Sequence, residues 1–418
     1  MRALILDGIG FDHLRVASIP IPVPGPRQML ARVDAAGICT SLIKLVEQGP
    51  DHKLVHGWDA KRYPLTLGDE GTVTLVSIGA ELRDRYSAGE RFVIQPAVDH
   101  PPINNRERYR DGARGIEKVS VGYTLAGHLA EYILVCEEIL AAGCLLPVPG
   151  DSLPFAHAAI SEPLSCVISA QDHHVHLMQE SPLSPRQVSK GLKRDGVTVI
   201  VGAGVMGRMH VDLALNWGPR AIVIADLVQE RLSQAARLFG ERARNLGIGL
   251  HTVDPMQGDL KSLVDKLTDY RGADDVIVAV GSRKAIEEAQ TLAGRGAVFN
   301  LFGGLKKGED VIDLDSGIVH YREINVTGSS GGSPWDIVRT LDLISCGKID
   351  AASHITRIGD LEHAVEFLRL IRAREIDGKA VVYPHKRTRE IITVGSWTRQ
   401  NEINFLKDAT NFTNYPSE

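Results

Sequence analysis

Apolar and polar positions along the chain follow two rhythms. Up to about residue 150, short apolar runs such as Met29–Val33, Gly71–Ile78 and Arg91–Ile94 are separated by Pro and Gly, including Pro20-Ile-Pro-Val-Pro-Gly-Pro26. Runs of that length bounded by turn formers predict strands, so this part reads as an all-β, barrel-like domain with long loops. Met1–Asp7 opens it with a strand-like segment, and the polar stretch Pro96–Val121 reads as an exposed lobe or loop. The spacing turns helical from Pro154 to about Ala170, and His173–Asp195 reads as an inserted loop.

From Val197 onward strand and helix patterns alternate: Val197–Val201, Arg208–Trp217, Ala221–Ala225, Gln229–Leu238, Leu250–Val253, Asp259–Tyr270, Asp275–Val280, Lys284–Leu292, Ala297–Phe302 and Ile324–Thr327. A βαβα succession of this length predicts a doubly wound parallel sheet. Trp335–Ser345 and Leu361–Ile371 are helical again, and Lys379–Tyr383 is a strand expected to return to the first domain. The fold class is therefore α/β, with a β-rich domain over 1–170, completed by about 335–418, and a nucleotide-binding domain over 171–334. The tail Pro384–Glu418 is polar and shows no clear pattern.

The most telling stretch is Val197-Thr-Val-Ile-Val-Gly202-Ala-Gly204-Val205-Met206-Gly207. A buried strand runs into Gly-x-Gly-x-x-Gly and then into a helix start. Gly202 permits the turn, Gly204 lets backbone approach a pyrophosphate, and Gly207 lets helix and strand pack closely. The next strand ends on Asp226, at the spacing of the acid that holds the adenosine ribose hydroxyls. An acid there repels a 2′-phosphate, which favours NAD over NADP. Arg231 joins the candidate cofactor set, as do Val280, Gly281, Phe302, Gly303, Ser329 and Ser330, which follow successive strands at the carboxyl edge. Glycine-rich sheet-to-loop turns would explain those last positions equally well.

Composition narrows the function classes. The 418 residues are 44% hydrophobic and 24% charged, with formal net charge −5, so no basic excess attracts nucleic acid or acidic lipid. No apolar run is long enough to span a bilayer, and no signal-peptide pattern opens the chain, so a cytoplasmic enzyme is expected. Cysteines at 39, 136, 144, 166 and 346 are odd in number and irregularly spaced, which argues for reduced thiols.

Candidate chemistry sits at Gly37-Ile-Cys39-Thr-Ser41-Leu-Ile-Lys44, at Leu67-Gly68-Asp69-Glu70-Gly71 and at Ser161-Glu162-Pro163-Leu164. Taken singly, Cys39 reads as a core thiol, Asp69-Glu70 as a solvated turn and Glu162 as a helix N-terminal acid. Together, ahead of the glycine motif, they resemble the medium-chain dehydrogenase/reductase superfamily in its zinc-dependent polyol dehydrogenase branch. Leu45–Lys53, Arg91–Pro96, Glu162–Ile168, Val319-His-Tyr321 and Gly328–Gly332 are similar to the sorbose-1-phosphate reductase subgroup.

The resemblance implies a GroES-like catalytic domain, a Rossmann domain and one catalytic zinc. Cys39 would be its thiolate ligand, with Glu70 and Glu162 in or just behind the coordination shell. Ser41 would contact the substrate oxygen and relay its proton, with Lys44 a later member of that relay. A cation on the reacting oxygen stabilises an alkoxide or polarises a carbonyl. Two positions depart from the family. Asp69 stands where a histidine is usual, so a Cys39, Asp69 and Glu set carries an extra negative charge. No cysteine occurs between Cys39 and Cys136, so no structural zinc is expected.

The implied substrate is a polyol, sugar or sugar phosphate, with Lys53, Arg106, Arg108 and Arg110 as basic residues able to hold a phosphate. The subgroup is associated with NADPH, whereas Asp226 argues for NAD. Family habit implies a homodimer or homotetramer, with no nucleic-acid or membrane partner. The rival reading is a metal-free nucleotide-binding redox sensor or structural protein of the same fold. Cys39, Ser41, Glu70 and Glu162 are expected only of the enzyme.

Overall fold

The computed structural model describes residues 1–305 and 308–407. The chain divides into two compact units, Met1–Ser165 with Gly332–Glu418, and Cys166–Gly331. Residues 408–418, the end of the tail for which no pattern was read, lie outside the described residues.

The first unit is built on an eight-stranded sheet whose centre is Met29–Gly37. That strand pairs antiparallel with Glu70–Ile78, with Tyr132–Val135 and, through Val381 and Val382, with Lys379–Val382. The C-terminal strand thus returns to this unit. Met29, Leu30, Ala31, Val33, Ala35 and Ala36 are all fully buried, as expected of a central strand covered on both faces.

This unit is not all-β. Ser41–Gln48 is an α-helix that buries Leu42, Ile43, Leu45 and Val46. Helical spacing was already present in that apolar group, but the surrounding short strands dominate the local pattern. The lobe is also more ordered than an exposed loop. Ala97–Asp99 pairs with Lys118–Ser120, while Val98, Tyr109, Ala113, Val119 and Val121 are buried. Its anchors are non-local: Trp58 meets Tyr109 edge-on at 4.9 Å, and the Arg108 guanidinium lies 4.6 Å from the Tyr63 ring centre. Near the C-terminus, the buried Glu402 carboxylate accepts the backbone N–H groups of Phe155 and Ala156 and the Tyr383 hydroxyl, at 2.7–2.9 Å.

The second unit contains a six-stranded parallel sheet in the spatial order Gly249–Val253, Ala221–Ala225, Val197–Val201, Ala273–Val278, Ala293–Leu301 and Asn325–Gly328. In chain order that is 3-2-1-4-5-6, the doubly wound Rossmann arrangement, with the order reversing between Val197–Val201 and Ala273–Val278. The segment read as an inserted loop holds a hairpin, Val175–Met178 with Gln187–Lys190. It is tied down by charge-bearing groups that local pattern does not reveal. His174 Nδ1 and His176 Nε2 both meet Asp275 Oδ1, at 2.6 and 2.9 Å, and all three residues are buried. No described helix is long and apolar enough to cross a membrane.

Candidate active site

Strand register assembles the first site. Gly37 and Glu70 are cross-strand partners, so Cys39, two residues past one strand, lies beside Asp69 and Glu70 at the start of the other. Ligand atoms of these three side chains all fall within 4.8 Å of one another. Gly37 is required by crowding: a Cβ there would come within 2.0 Å of Glu70 Oε2. The backbone N–H of Ser41 points at Cys39 Sγ, 3.5 Å away, and the Ser41 hydroxyl donates to Asp69 Oδ2 at 2.6 Å.

Glu162 arrives from another direction, on the helix Ser161–Asp172, where it is 8% exposed. It is outside the three-residue set, yet its charge acts on Cys39. The structure adds two residues for which the sequence carries no local signal. Lys379, 309 positions from Glu70, donates to Glu70 Oε1 at 2.5 Å and to the Ile38 carbonyl at 3.1 Å. Tyr123 is 4% exposed, with its hydroxyl in hydrogen-bonding reach of Ser41. Only the chain path brings either to the site.

The electrostatics are those of a cation site. Burial, reinforced by Asp69 and Glu70, pushes the Cys39 thiol well above its usual range. Burial and the neighbouring Glu70 likewise lift Asp69 to about 6, against the Ser41 hydrogen bond. Burial alone would lower Lys379, but Glu70 foremost, with Cys39, raises it to about 12. Asp69 Oδ1 and Glu70 Oε2 are buried without a hydrogen-bond partner. A soft thiol converging with two carboxylates, each offering a buried oxygen that no hydrogen bond satisfies, is a donor set that suits zinc. The Asp69 substitution leaves excess negative charge, and the buried Lys379 ammonium offsets part of it.

The second site is the glycine loop, at the point where strand order reverses. Gly202 has φ +107°, and a Cβ at Gly207 would come within 1.7 Å of the Gly202 carbonyl oxygen. Gly204 is the N-cap of Val205–Ala214, and a Cβ there would meet nothing within 4 Å. Val205 and Met206 form the first turn of that helix, whose free N–H groups suit a pyrophosphate. Asp226 accepts the N–H of Ala203 at 2.7 Å and of Val228 at 2.9 Å, while Arg231 Nη1 lies 3.9 Å from it. Its carboxylate therefore also braces the loop. Val280 and Gly281, Phe302 and Gly303, and Ser329 and Ser330 each follow the carboxyl end of a strand. The Phe302 ring meets His210 edge-on at 4.6 Å, and Ser329 Oγ is buried without a hydrogen-bond partner.

These two sites define a class, the metal- and nicotinamide-type oxidoreductases. Comparison with known proteins gives the family. Residues 25–147 match the alcohol dehydrogenase GroES-like domain, and residues 204–345 match the zinc-binding dehydrogenase domain. The chain is 29% identical to mannitol-1-phosphate 5-dehydrogenase of Aliivibrio fischeri over 90% of its length and 85% of that protein. It is 28% identical to L-sorbose 1-phosphate reductase of Klebsiella pneumoniae over 90% of its length and 87% of that protein. Galactitol-1-phosphate dehydrogenase from Escherichia coli shares the fold, with a TM-score of 0.70 at 21% identity, covering 92% of this chain and all of that one. The chain belongs to the zinc-dependent medium-chain dehydrogenase/reductase superfamily, in its polyol dehydrogenase branch. It is an enzyme of the zinc-type, nicotinamide-dependent dehydrogenase class.

Proposed function

We propose that the protein transfers a hydride between NAD and a secondary alcohol or ketone of a polyol, sugar or sugar phosphate. The observation that carries this reading is the convergence of the half-buried Cys39 thiol with the buried Asp69 and Glu70 carboxylates, with Glu162 acting on the same thiol. Cys39, Asp69 and Glu70 would hold a single zinc, with Glu162 in or just behind the shell and Lys379 offsetting part of the negative charge. The ion supplies positive charge at the reacting oxygen. The chain's own residues handle the proton. Ser41 sits between Asp69 and Tyr123 and would receive the alcohol proton, with Lys44, on the same helix, passing it outward.

Asp226 supports NAD, since a carboxylate braced by two backbone N–H groups would accept ribose hydroxyls and repel a 2′-phosphate. Arg231 is the residue through which NADP would gain if that carboxylate were lost. The cysteine-free span from 40 to 135 supports a lobe without structural zinc. In the same reading the domains run over about 1–170 with 335–418, and 171–334. The enzyme works in the cytoplasm as a homodimer or homotetramer. The outer edge of Asn325–Gly328, which has no strand partner among the described residues, supports a subunit contact there.

The test is a panel of polyols and sugar phosphates with NAD and NADP, read as nicotinamide absorbance on protein of measured metal content. Turnover that follows zinc loading and disappears in Cys39→Ser is expected. Folded, dinucleotide-binding protein holding below about 0.2 equivalents of metal at saturating zinc, with no turnover, would instead favour the metal-free redox sensor.

A further inference from the structure

Among the described residues, two groups of histidine, cysteine or acid side chains bring their ligand atoms within 4.8 Å of one another: the cluster at Cys39, and His174 with His176 and Asp275. The second group lies wholly within the nucleotide-binding unit, and the reaction read above makes no use of it. His176 is the second residue of the hairpin strand Val175–Met178, and His174 directly precedes that strand. Residues two apart on an extended chain share a side, and both rings reach Asp275 Oδ1, at 2.6 Å from His174 Nδ1 and 2.9 Å from His176 Nε2. Asp275 comes from the sheet strand Ala273–Val278, 101 and 99 positions away. The three residues are 0%, 3% and 0% exposed. Backbone contacts fix the base of the hairpin: the Gly191 N–H donates to the His174 carbonyl at 2.8 Å, and the Asn325 amide to the Val175 carbonyl at 3.1 Å.

Asp275 is a buried carboxylate with no cationic side chain committed to it. Its Oδ2 accepts the Lys193 backbone N–H at 2.9 Å, while the Lys193 ammonium goes to Asp274 at 2.6 Å. Its only ion-pair partners among the described residues are the two imidazoles. Burying a carboxylate is costly unless a cation or several hydrogen bonds compensate it, and two imidazole nitrogens beside it complete a donor set that suits zinc. Thr198 is the cross-strand partner of Asp275, so its side chain lies on the same sheet face. Its hydroxyl is fully buried and has no hydrogen-bond partner. That hydroxyl can hold a water molecule in the fourth coordination position.

We propose that His174 Nδ1, His176 Nε2 and Asp275 Oδ1 bind a second zinc ion, which pins the inserted hairpin to the parallel sheet. Bonds of about 2.0–2.2 Å to zinc place tetrahedral ligand atoms roughly 3.3 Å apart, so each ring withdraws from Asp275 by about half an ångström as the ion enters. Both imidazoles bind as neutral bases, each carrying its proton on the nitrogen that faces away, Nε2 in His174 and Nδ1 in His176. The role is structural. Thr198 and Asp275 lie in the amino-terminal halves of their strands, whereas Gly202 and Asp226 follow the carboxyl ends of theirs. A hydrogen-bonded anchor alone would make the same protein contacts and hold no ion, so metal content separates the two.

The test is metal analysis and zinc X-ray absorption on the full chain, loaded with zinc and freed of excess, in wild type, Cys39→Ser, His176→Gln and the double variant. The cluster at Cys39 has no histidine among its candidate ligands, so imidazole scattering reports the second site and sulfur scattering the first. Wild type should hold about two equivalents, each single variant about one, and the double variant less than about 0.2. Zinc in Cys39→Ser should show imidazole scattering and only nitrogen or oxygen neighbours, at about 2.0–2.2 Å. Zinc should also raise the melting temperature of Cys39→Ser and leave that of the double variant unchanged. If His176→Gln does not fold, wild type and Cys39→Ser decide the matter alone. One equivalent with sulfur and no imidazole scattering overturns the second site and leaves the first standing. One equivalent with imidazole and no sulfur scattering supports the second site and overturns the first. Complete loss of zinc in Cys39→Ser overturns the proposal.

Discussion

Replacing Lys379 by Met removes the buried positive charge of the metal cluster while keeping most of the side-chain volume. Glu70 is fully buried and Lys379 nearly so, at a 2.5 Å contact. Lys379 is lifted from 10.5 to about 12 although burial acts to lower it. At about 1.36 kcal/mol per pKa unit, that displacement alone corresponds to roughly 2 kcal/mol. Leaving Glu70 buried without its partner raises the expected cost to about 3–5 kcal/mol. The measurement is urea denaturation of metal-free protein near pH 8, followed by tryptophan fluorescence, for Lys379→Met, Glu70→Gln and the double variant. The double variant should recover most of the loss, because no unpaired charge remains. Metal affinity should move the other way, rising in Lys379→Met as repulsion of the cation falls. A single-variant loss below about 1 kcal/mol, or strictly additive effects in the cycle, would refute the role given to this pair.

Three further outcomes follow from the geometry. Asp226→Ser should raise the NADP to NAD ratio of kcat/KM by about 10- to 100-fold, by removing repulsion and exposing Arg231; an unchanged ratio would show that Asp226 does not select the cofactor. Gly207→Ala should cost at least about 2–3 kcal/mol and most NAD affinity, because its Cβ would lie 1.7 Å from the Gly202 oxygen; wild-type melting and NAD affinity would contradict this. Acid stability should be limited by two histidines that burial keeps neutral, His128 at about 4 and His210 at about 3. The unfolded chain takes up these protons near pH 6.5 and the folded chain does not, so stability is full above 6.5 and declines as pH falls. Between pH 6.5 and 4.5 each should remove roughly 2 kcal/mol, and His210→Gln should flatten that slope for the second unit. An identical slope in variant and wild type would exclude this origin.

Local pattern was enough for whatever is encoded by neighbours in the chain. The strands Val197–Val201 and Ala221–Ala225, the turn at Gly202, the helix start at Gly204 and the acid at Asp226 all lie within one βαβ unit, where spacing alone expresses the constraint. The sequential order of Cys39, Glu70, Glu162 and the glycine motif likewise pointed to the family. Local pattern failed where stability comes from distant partners. The helix Ser41–Gln48 was hidden among short strands, the lobe around Tyr109 is held by Trp58, and the inserted hairpin is anchored through Asp275. The chemistry divides in the same way. Cys39, Asp69, Glu70 and Glu162 could be read along the chain as candidates for a charge-excessive site, but the counter-charge comes from Lys379, 309 positions from Glu70, through a C-terminal strand paired on Met29–Gly37. Charge balance and burial are sums over everything packed around a point. Only the folded chain decides them.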